Sequence, residues 1–124
     1  MLKFYKCAHC GQIVLKVKET AAPVVCCGQP MQQLLPNTTD AANEKHVPVV
    51  SQEGNVVKVV VGEVEHPMLD VHYIEWIILE TNLGYHQAKL NPGQKPEATF
   101  VLTEGEEVVK AYEYCNLHSL WATK

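Results

Sequence analysis

The chain of 124 residues and 13.9 kDa is the size of one domain or two very small ones, and area scaling gives it about 6,700 Å² of folded surface against about 20,000 Å² unfolded, enough for one modest core. Ten Lys and no Arg stand against 14 acidic residues for a net charge of −4; without the forked guanidinium that grips phosphate and reads guanine edges, nucleic acid is not an expected ligand. With 47% hydrophobic and 19% charged residues the composition is soluble and globular, and the longest uncharged apolar run, Trp76 to Leu79, is far too short to span a membrane.

Met1 to Cys7 lack the apolar stretch of a signal peptide, so a cytoplasmic protein is expected. Its five cysteines then read as metal ligands or redox groups rather than disulfides. Four of them, Cys7, Cys10, Cys26 and Cys27, lie in the first 27 residues. Residues 1–36 carry too few large apolar side chains to bury a core, and lobes this small usually need a metal or a disulfide. Cys7-Ala8-His9-Cys10-Gly11 is a C-x2-C knuckle, a spacing that lets two thiolates face one metal. The second pair, Cys26-Cys27, is adjacent, which predicts a distorted four-sulfur site. Iron in a rubredoxin-like site is the favoured reading and a structural zinc staple the alternative. His9 reads as a solvated turn residue. Pro36 to Asp40 has the composition of a linker, giving a boundary between residues 1–36 and 37–124.

From residue 47 the pattern changes to short strands. Val56 to Val61 is nearly all valine, and Tyr73 to Thr81 alternates, with Ile74, Trp76 and Ile78 expected on one face and Glu75 opposing them. Further runs at 85–90, 98–103 and 107–115 are separated by Gly84, Asn91-Pro92-Gly93 and Glu104-Gly105. Strands about ten residues apart with turn signals between them predict an antiparallel β-sandwich.

This second lobe also holds most of the histidines. His46 lies in Glu44-Lys45-His46-Val47-Pro48, His66 and His72 bracket Pro67-Met68-Leu69-Asp70-Val71, and Cys115-Asn116-Leu117-His118 is a C-x2-H pair. Pro67 forces His66 into extended backbone at a loop edge. Four imidazoles and one thiolate are too many for tetrahedral zinc. They suit a square-pyramidal iron with nitrogens in the plane, sulfur on the axis and one position open, where an axial thiolate pushes electron density toward whatever binds opposite. His86 reads as an ordinary strand histidine.

Taken together, C-x2-C-G, Cys26-Cys27-Gly28, Glu-Lys-His-Val-Pro, His-Pro-Met with a second histidine six residues after the first, and Cys-Asn-Leu-His resemble the desulfoferrodoxins, superoxide reductases of the two-iron type. The resemblance covers essentially the whole chain. It implies a desulforedoxin-like first lobe with iron on Cys7, Cys10, Cys26 and Cys27. It further implies an immunoglobulin-like second lobe with a catalytic iron on His46, His66, His72 and His118 and an axial Cys115. The implied activity is one-electron reduction of superoxide to hydrogen peroxide, with a rubredoxin-type donor and a homodimeric assembly. Lys45 would attract the anion and order a proton-delivering water, and Glu44 would cap the oxidised iron once product has left. Tyr73 stands where the family often has Trp after the third histidine, which bears on packing and not on the ligand set. The turn after Cys115 further suggests that the N–H groups of Asn116 and Leu117 donate to its sulfur. Three other readings remain open at this point: an electron carrier working through the four-sulfur site, a zinc-stapled sandwich that only binds a partner, and a dismutase, which unlike a reductase would evolve oxygen.

Overall fold

The computed structural model describes residues 1–40 and 45–124, and among these the regular structure is entirely β. It divides into two compact units, Met1–Leu35 and Pro36–Lys124.

The first unit contains β1 (Phe4–Lys6), β2 (Ile13–Leu15), β3 (Val25–Cys26), β4 (Gln29–Pro30) and β5 (Gln32–Leu34). Strands β2, β1 and β5 form one antiparallel sheet in that order, and β3 pairs with β4 as a hairpin. The buried apolar side chains here are only Phe4, Cys7 and Met31. Such a core is small for 35 residues, and the knuckle is braced by its own backbone instead: Gly11 N–H donates to Cys7 O at 3.0 Å and Cys7 N–H to Gln12 O at 2.9 Å.

The second unit contains β6 (Pro48–Glu53), β7 (Val56–Val61), β8 (Ile74–Thr81), β9 (Gly84–Lys89), β10 (Glu97–Val101), β11 (Val108–Cys115) and β12 (Ser119–Ala122). They form two antiparallel sheets, β10-β7-β6 and β12-β11-β8-β9. Val57, Val59, Val61, Ala98 and Phe100 from the first sheet share a core with Ile77, Leu79, Ala111 and Cys115 from the second. Seven strands split three and four around one core make the immunoglobulin-like sandwich that the sequence implied.

One strand departs from simple alternation. Tyr114 pairs with Trp76, but the next residue, Cys115, pairs with Ile74, so Glu75 is an extra residue opposite the β11 ladder. This bulge reverses the inside–outside phase of β8. Ile74 joins Ile77 and Leu79 in the core, whereas Trp76 stacks on Tyr114 with centroids 5.7 Å apart. The expected shared face of Ile74, Trp76 and Ile78 is therefore corrected: Ile74 lies on one side of the sheet and Trp76 with Ile78 on the other. The bulge also ends the ladder at Cys115 with its side chain directed inward.

At the opposite end, His86 does act as a strand histidine, through Glu106. The carboxylate of Glu106 accepts from Thr81 Oγ1 at 2.6 Å, His86 Nε2 at 2.8 Å and Thr103 N at 3.0 Å. These donors, the Thr81 hydroxyl foremost, hold its acid down to about 2 from the ordinary 4.5. A depressed carboxyl favours the folded state above the ordinary value, and that contribution is lost as the pH falls from about 4.5 toward 2. Glu106→Gln is expected to lower the melting temperature by a few degrees at pH 7. The gap to the parent should close progressively below pH 4.5, and a constant gap across that range would remove the ionised carboxylate from the account.

Candidate metal centres

In the first unit the sulfurs of Cys7, Cys10, Cys26 and Cys27 all lie within 4.8 Å of one another. Cys10 Sγ is 3.5 Å from Cys26 Sγ, which is 4.0 Å from Cys27 Sγ. A tetrahedron with metal–sulfur bonds of about 2.3 Å has edges of about 3.8 Å, so the cluster already has nearly the dimensions of a bound ion. Adjacent cysteines reach it because of the turn they occupy. Cys26 closes the β3–β4 ladder, and the two turn residues Cys27 and Gly28 have φ of 52° and 74°. Two consecutive positive φ values mark the tight hairpin turn whose twist suits flanking strands, and here that turn aims neighbouring side chains at one point.

The charge balance also calls for a cation. Cys10 N–H donates to Cys7 Sγ at 3.4 Å, and chiefly through that amide the Cys7 thiol is lowered to about 6. Cys26 is pushed up to about 12, first by Cys10 and then by Cys7, and Cys27 is raised by the same neighbours. One thiolate forms readily, whereas a second beside it needs positive charge, which a metal supplies. His9 is exposed and stands outside the sulfur cluster.

In the second unit the histidines arrive from three places. His46 precedes β6, and a single oxygen, Asp40 Oδ1, accepts from the backbone N–H of His46 at 2.6 Å and of Val47 at 2.8 Å. His66 and His72 lie in the loop between β7 and β8, and Cys115 and His118 flank the β11–β12 turn. That turn closes through Ser119, which takes a left-handed φ of 70° and pairs back with Cys115. The C-x2-H spacing thereby puts Cys115 Sγ 3.7 Å from His118 Nδ1.

The four imidazoles form a closed circuit. Ring centroids are 4.6 Å apart for His46–His66, 4.8 Å for His66–His72, 5.1 Å for His72–His118 and 4.8 Å for His118–His46. The fully buried Cys115 approaches two of them, His66 Nε2 at 3.8 Å and His118 Nδ1. The tightest donor group is His46, His66, Cys115 and His118, with ligand atoms within 4.8 Å of one another, and His72 joins through its ring neighbours. His66 Nδ1 is 2.8 Å from Pro67 O. A carbonyl only accepts, so Nδ1 carries the proton and Nε2 keeps its lone pair for a metal. Nitrogen and thiolate donors so arranged suit an iron ion, as four clustered thiolates do.

Several supporting groups escaped the sequence reading. Trp121 stacks on His46 at 4.6 Å and 17°, and its Nε1–H donates to His118 O at 2.9 Å. Fully buried Glu113 brings Oε1 within 3.9 Å of His46 Nδ1. Ile77, Glu113 and Trp121 share one cross-strand row, so an acidic residue two before Cys115 on the same strand face was the signal available. Gly62 is a second hidden support. At φ of 83°, an added Cβ there would lie 2.5 Å from Lys45 O and 2.6 Å from Val64 O, so the backbone entering His46 fits only against glycine. The turn also differs from expectation: Asn116 N–H donates to Tyr73 O at 3.2 Å rather than to the Cys115 sulfur, because it extends the β8–β11 pairing. Lys45 is half-buried beside His46. Glu44 lies outside the described residues.

Family models match both units: one described as Desulfoferrodoxin over residues 38–124, and one described as Desulfoferrodoxin, N-terminal domain, over residues 1–34. The chain belongs to the desulfoferrodoxin family. The desulfoferrodoxin of Syntrophotalea carbinolica is 48% identical over 123 residues, covering 99% of this chain and 96% of that one. The crystal structure of the superoxide reductase from Treponema pallidum matches with a TM-score of 0.87 at 37% identity, covering 100% of this chain and 98% of that one. A protein of Pyrococcus abyssi named superoxide reductase is 34% identical over 99 residues, 66% of this chain and 86% of its own. Family membership and the two donor sets agree on a protein with two candidate iron centres. No helix among the described residues is long and apolar enough to cross a membrane.

Proposed function

We propose that the chain is a superoxide reductase whose catalytic iron is held by His46, His66, His72, His118 and Cys115. The observation that carries this reading is the closed circuit of four imidazoles with a buried thiol beside two of them. A purely structural staple has no use for five converging donors, since structural sites are complete with four. Iron held by these residues would supply the one electron that, with two protons, converts superoxide to hydrogen peroxide. Cys115 supplies the electron-rich thiolate, and its full burial keeps water and competing oxidants off the sulfur.

The protein's own charges must work against its net −4 to admit an anion. Lys45, next to His46, is assigned the attraction of superoxide and the ordering of the water that hands over a proton, and Glu44 the protection of the open face between turnovers. The remaining parts of this reading are a four-sulfur iron in the first unit, where zinc is an alternative occupant, a rubredoxin-type electron donor, a cytoplasmic location and a homodimer. The family match and the reductases among the similar structures support the activity.

The test is fast superoxide kinetics on the reduced, iron-loaded chain with oxygen monitored. Superoxide should disappear without oxygen evolution, at a rate that falls with ionic strength. Lys45→Ala should slow it about tenfold and flatten the salt dependence, because attraction of this kind is screened beyond about 10 Å at 0.1 M salt. Oxygen release would make the protein a dismutase. An iron-loaded chain inert to superoxide would leave the carrier reading, and unchanged Lys45→Ala kinetics would remove that residue from the mechanism.

A further inference from the structure

Each ligand of the histidine centre is braced differently. Cys115 and His118 belong to one tight turn, His46 is pinned by Asp40 through two backbone amides, and His66 is oriented by Pro67 O. His72 is held in a different way again. It sits on the loop between β7 and β8, tied within that loop by a reciprocal pair of bonds to Leu69 at 2.9 and 3.0 Å. It is also the one candidate ligand outside the tightest donor group.

Asn116 ties its loop to the turn that follows Cys115. The Asn116 side chain accepts from Tyr73 N at 2.9 Å through Oδ1 and donates to Val71 O at 3.0 Å through Nδ2, while its backbone N–H donates to Tyr73 O at 3.2 Å. These three bonds grip the residues on either side of His72 and fasten them to the residue following Cys115. A side-chain amide carries its donor and its acceptor on separate atoms, so it can donate to one backbone carbonyl and accept from an amide two residues on at the same time. An alanine here leaves only the backbone bond.

We propose that Asn116 is a positioning residue that decides whether His72 ligates, and with it whether the centre offers five donors or four. The inference rests on reading this cluster as a metal centre. With the clamp in place, His72 closes the imidazole circuit. Without it, His46, His66, His118 and Cys115 remain, a three-nitrogen, one-sulfur set of the number that tetrahedral zinc or cobalt takes. Asn116 would thus bias the site toward an ion that accepts five ligands and against zinc.

Co(II) titration of the full chain tests this, because four-coordinate Co(II) absorbs far more strongly in the visible than five-coordinate Co(II). A chain carrying His46→Ala, His118→Ala and Cys115→Ser together, left with two imidazoles, supplies the reference spectrum of the four-sulfur site. Asn116→Ala should intensify the bands of the histidine centre and weaken its Co(II) binding about 10- to 100-fold, the usual effect of losing an outer partner of a ligand. In the metal-free chain the Tyr73 amide should exchange with solvent roughly tenfold faster, having lost its acceptor. Placed in a His72→Ala background, the same substitution should change neither spectrum nor affinity further, since its effect runs through His72. Should Asn116→Ala compromise folding, Asn116→Asp keeps the Tyr73 acceptor, loses the Val71 donor, and should give a smaller shift in the same direction. A wild-type spectrum and affinity in Asn116→Ala overturn the proposal, as does an equal effect with or without His72. A wild-type chain whose Co(II) spectrum does not exceed that reference overturns the metal-centre reading itself, and the clamp with it.

Discussion

Cys115→Ser is expected to abolish the thiolate-to-iron absorption of the histidine centre and to lower the superoxide rate constant by more than about 100-fold, beyond the range typical of outer partners, while the four-sulfur spectrum persists. The sulfur belongs to a fully buried residue at the inward-facing end of β11, close to His66 and His118. It is the only soft, polarisable donor in that set, and a serine oxygen is harder and, uncoordinated, keeps its proton. The electron density that a thiolate would lend to iron held there would go with it. A buried hydroxyl whose partners are imperfect also costs about 1–3 kcal/mol, so the metal-free variant should melt earlier than the metal-free parent. Iron content, visible spectra in both redox states and superoxide kinetics read the three effects separately. A variant that binds iron, lacks the absorption band and still reacts at the parent rate would show that the thiolate has no part in the reaction.

Why such a centre is legible from sequence while its supports are not follows from distance along the chain. Cys115 and His118 are joined by one turn, and Cys7 and Cys10 by one knuckle, so their spacing alone carries the geometry. The supports depend on register. Glu113 and Trp121 reach His46 only because β11 and β12 pair with Glu113 opposite Trp121, and Asn116 reaches Val71 across 45 residues. Neither pairing has a local signature. The β8 bulge is similar: alternation reads Ile74 and Trp76 on one face, and only the partner strand reveals that Glu75 is the extra residue. The strands of the sandwich were visible in their valine and aromatic runs and in the turns between them. The two- and three-residue strands of the first unit were not, because runs so short carry no readable period.

Removing the metal from that first unit should unfold it and leave the sandwich standing. Five strands of two or three residues and three buried apolar side chains provide little to offset the ordering of 35 residues, and chains below about 40 residues usually need a metal or disulfides. Structural zinc in small peptides supplies about 10–16 kcal/mol of apparent free energy at neutral pH, and where a metal site forms only in the folded state its binding energy is folding energy. Cys7 lowered to about 6 and Cys26 raised to about 12 describe a metal-free cluster that cannot hold four negative charges together, so acid, which returns protons to the sulfurs, should act in the same direction as a chelator. Amide exchange on the chelated full chain reads the outcome strand by strand. Residues 4–6, 13–15 and 32–34 should lose protection, while the valine amides of β7 and those of β8 and β11 keep theirs. Undiminished protection at Phe4 to Lys6 would mean that Phe4 and Met31 hold the lobe without help, and the four-sulfur metal would then have to be explained by the electrons it carries and not by the fold it closes.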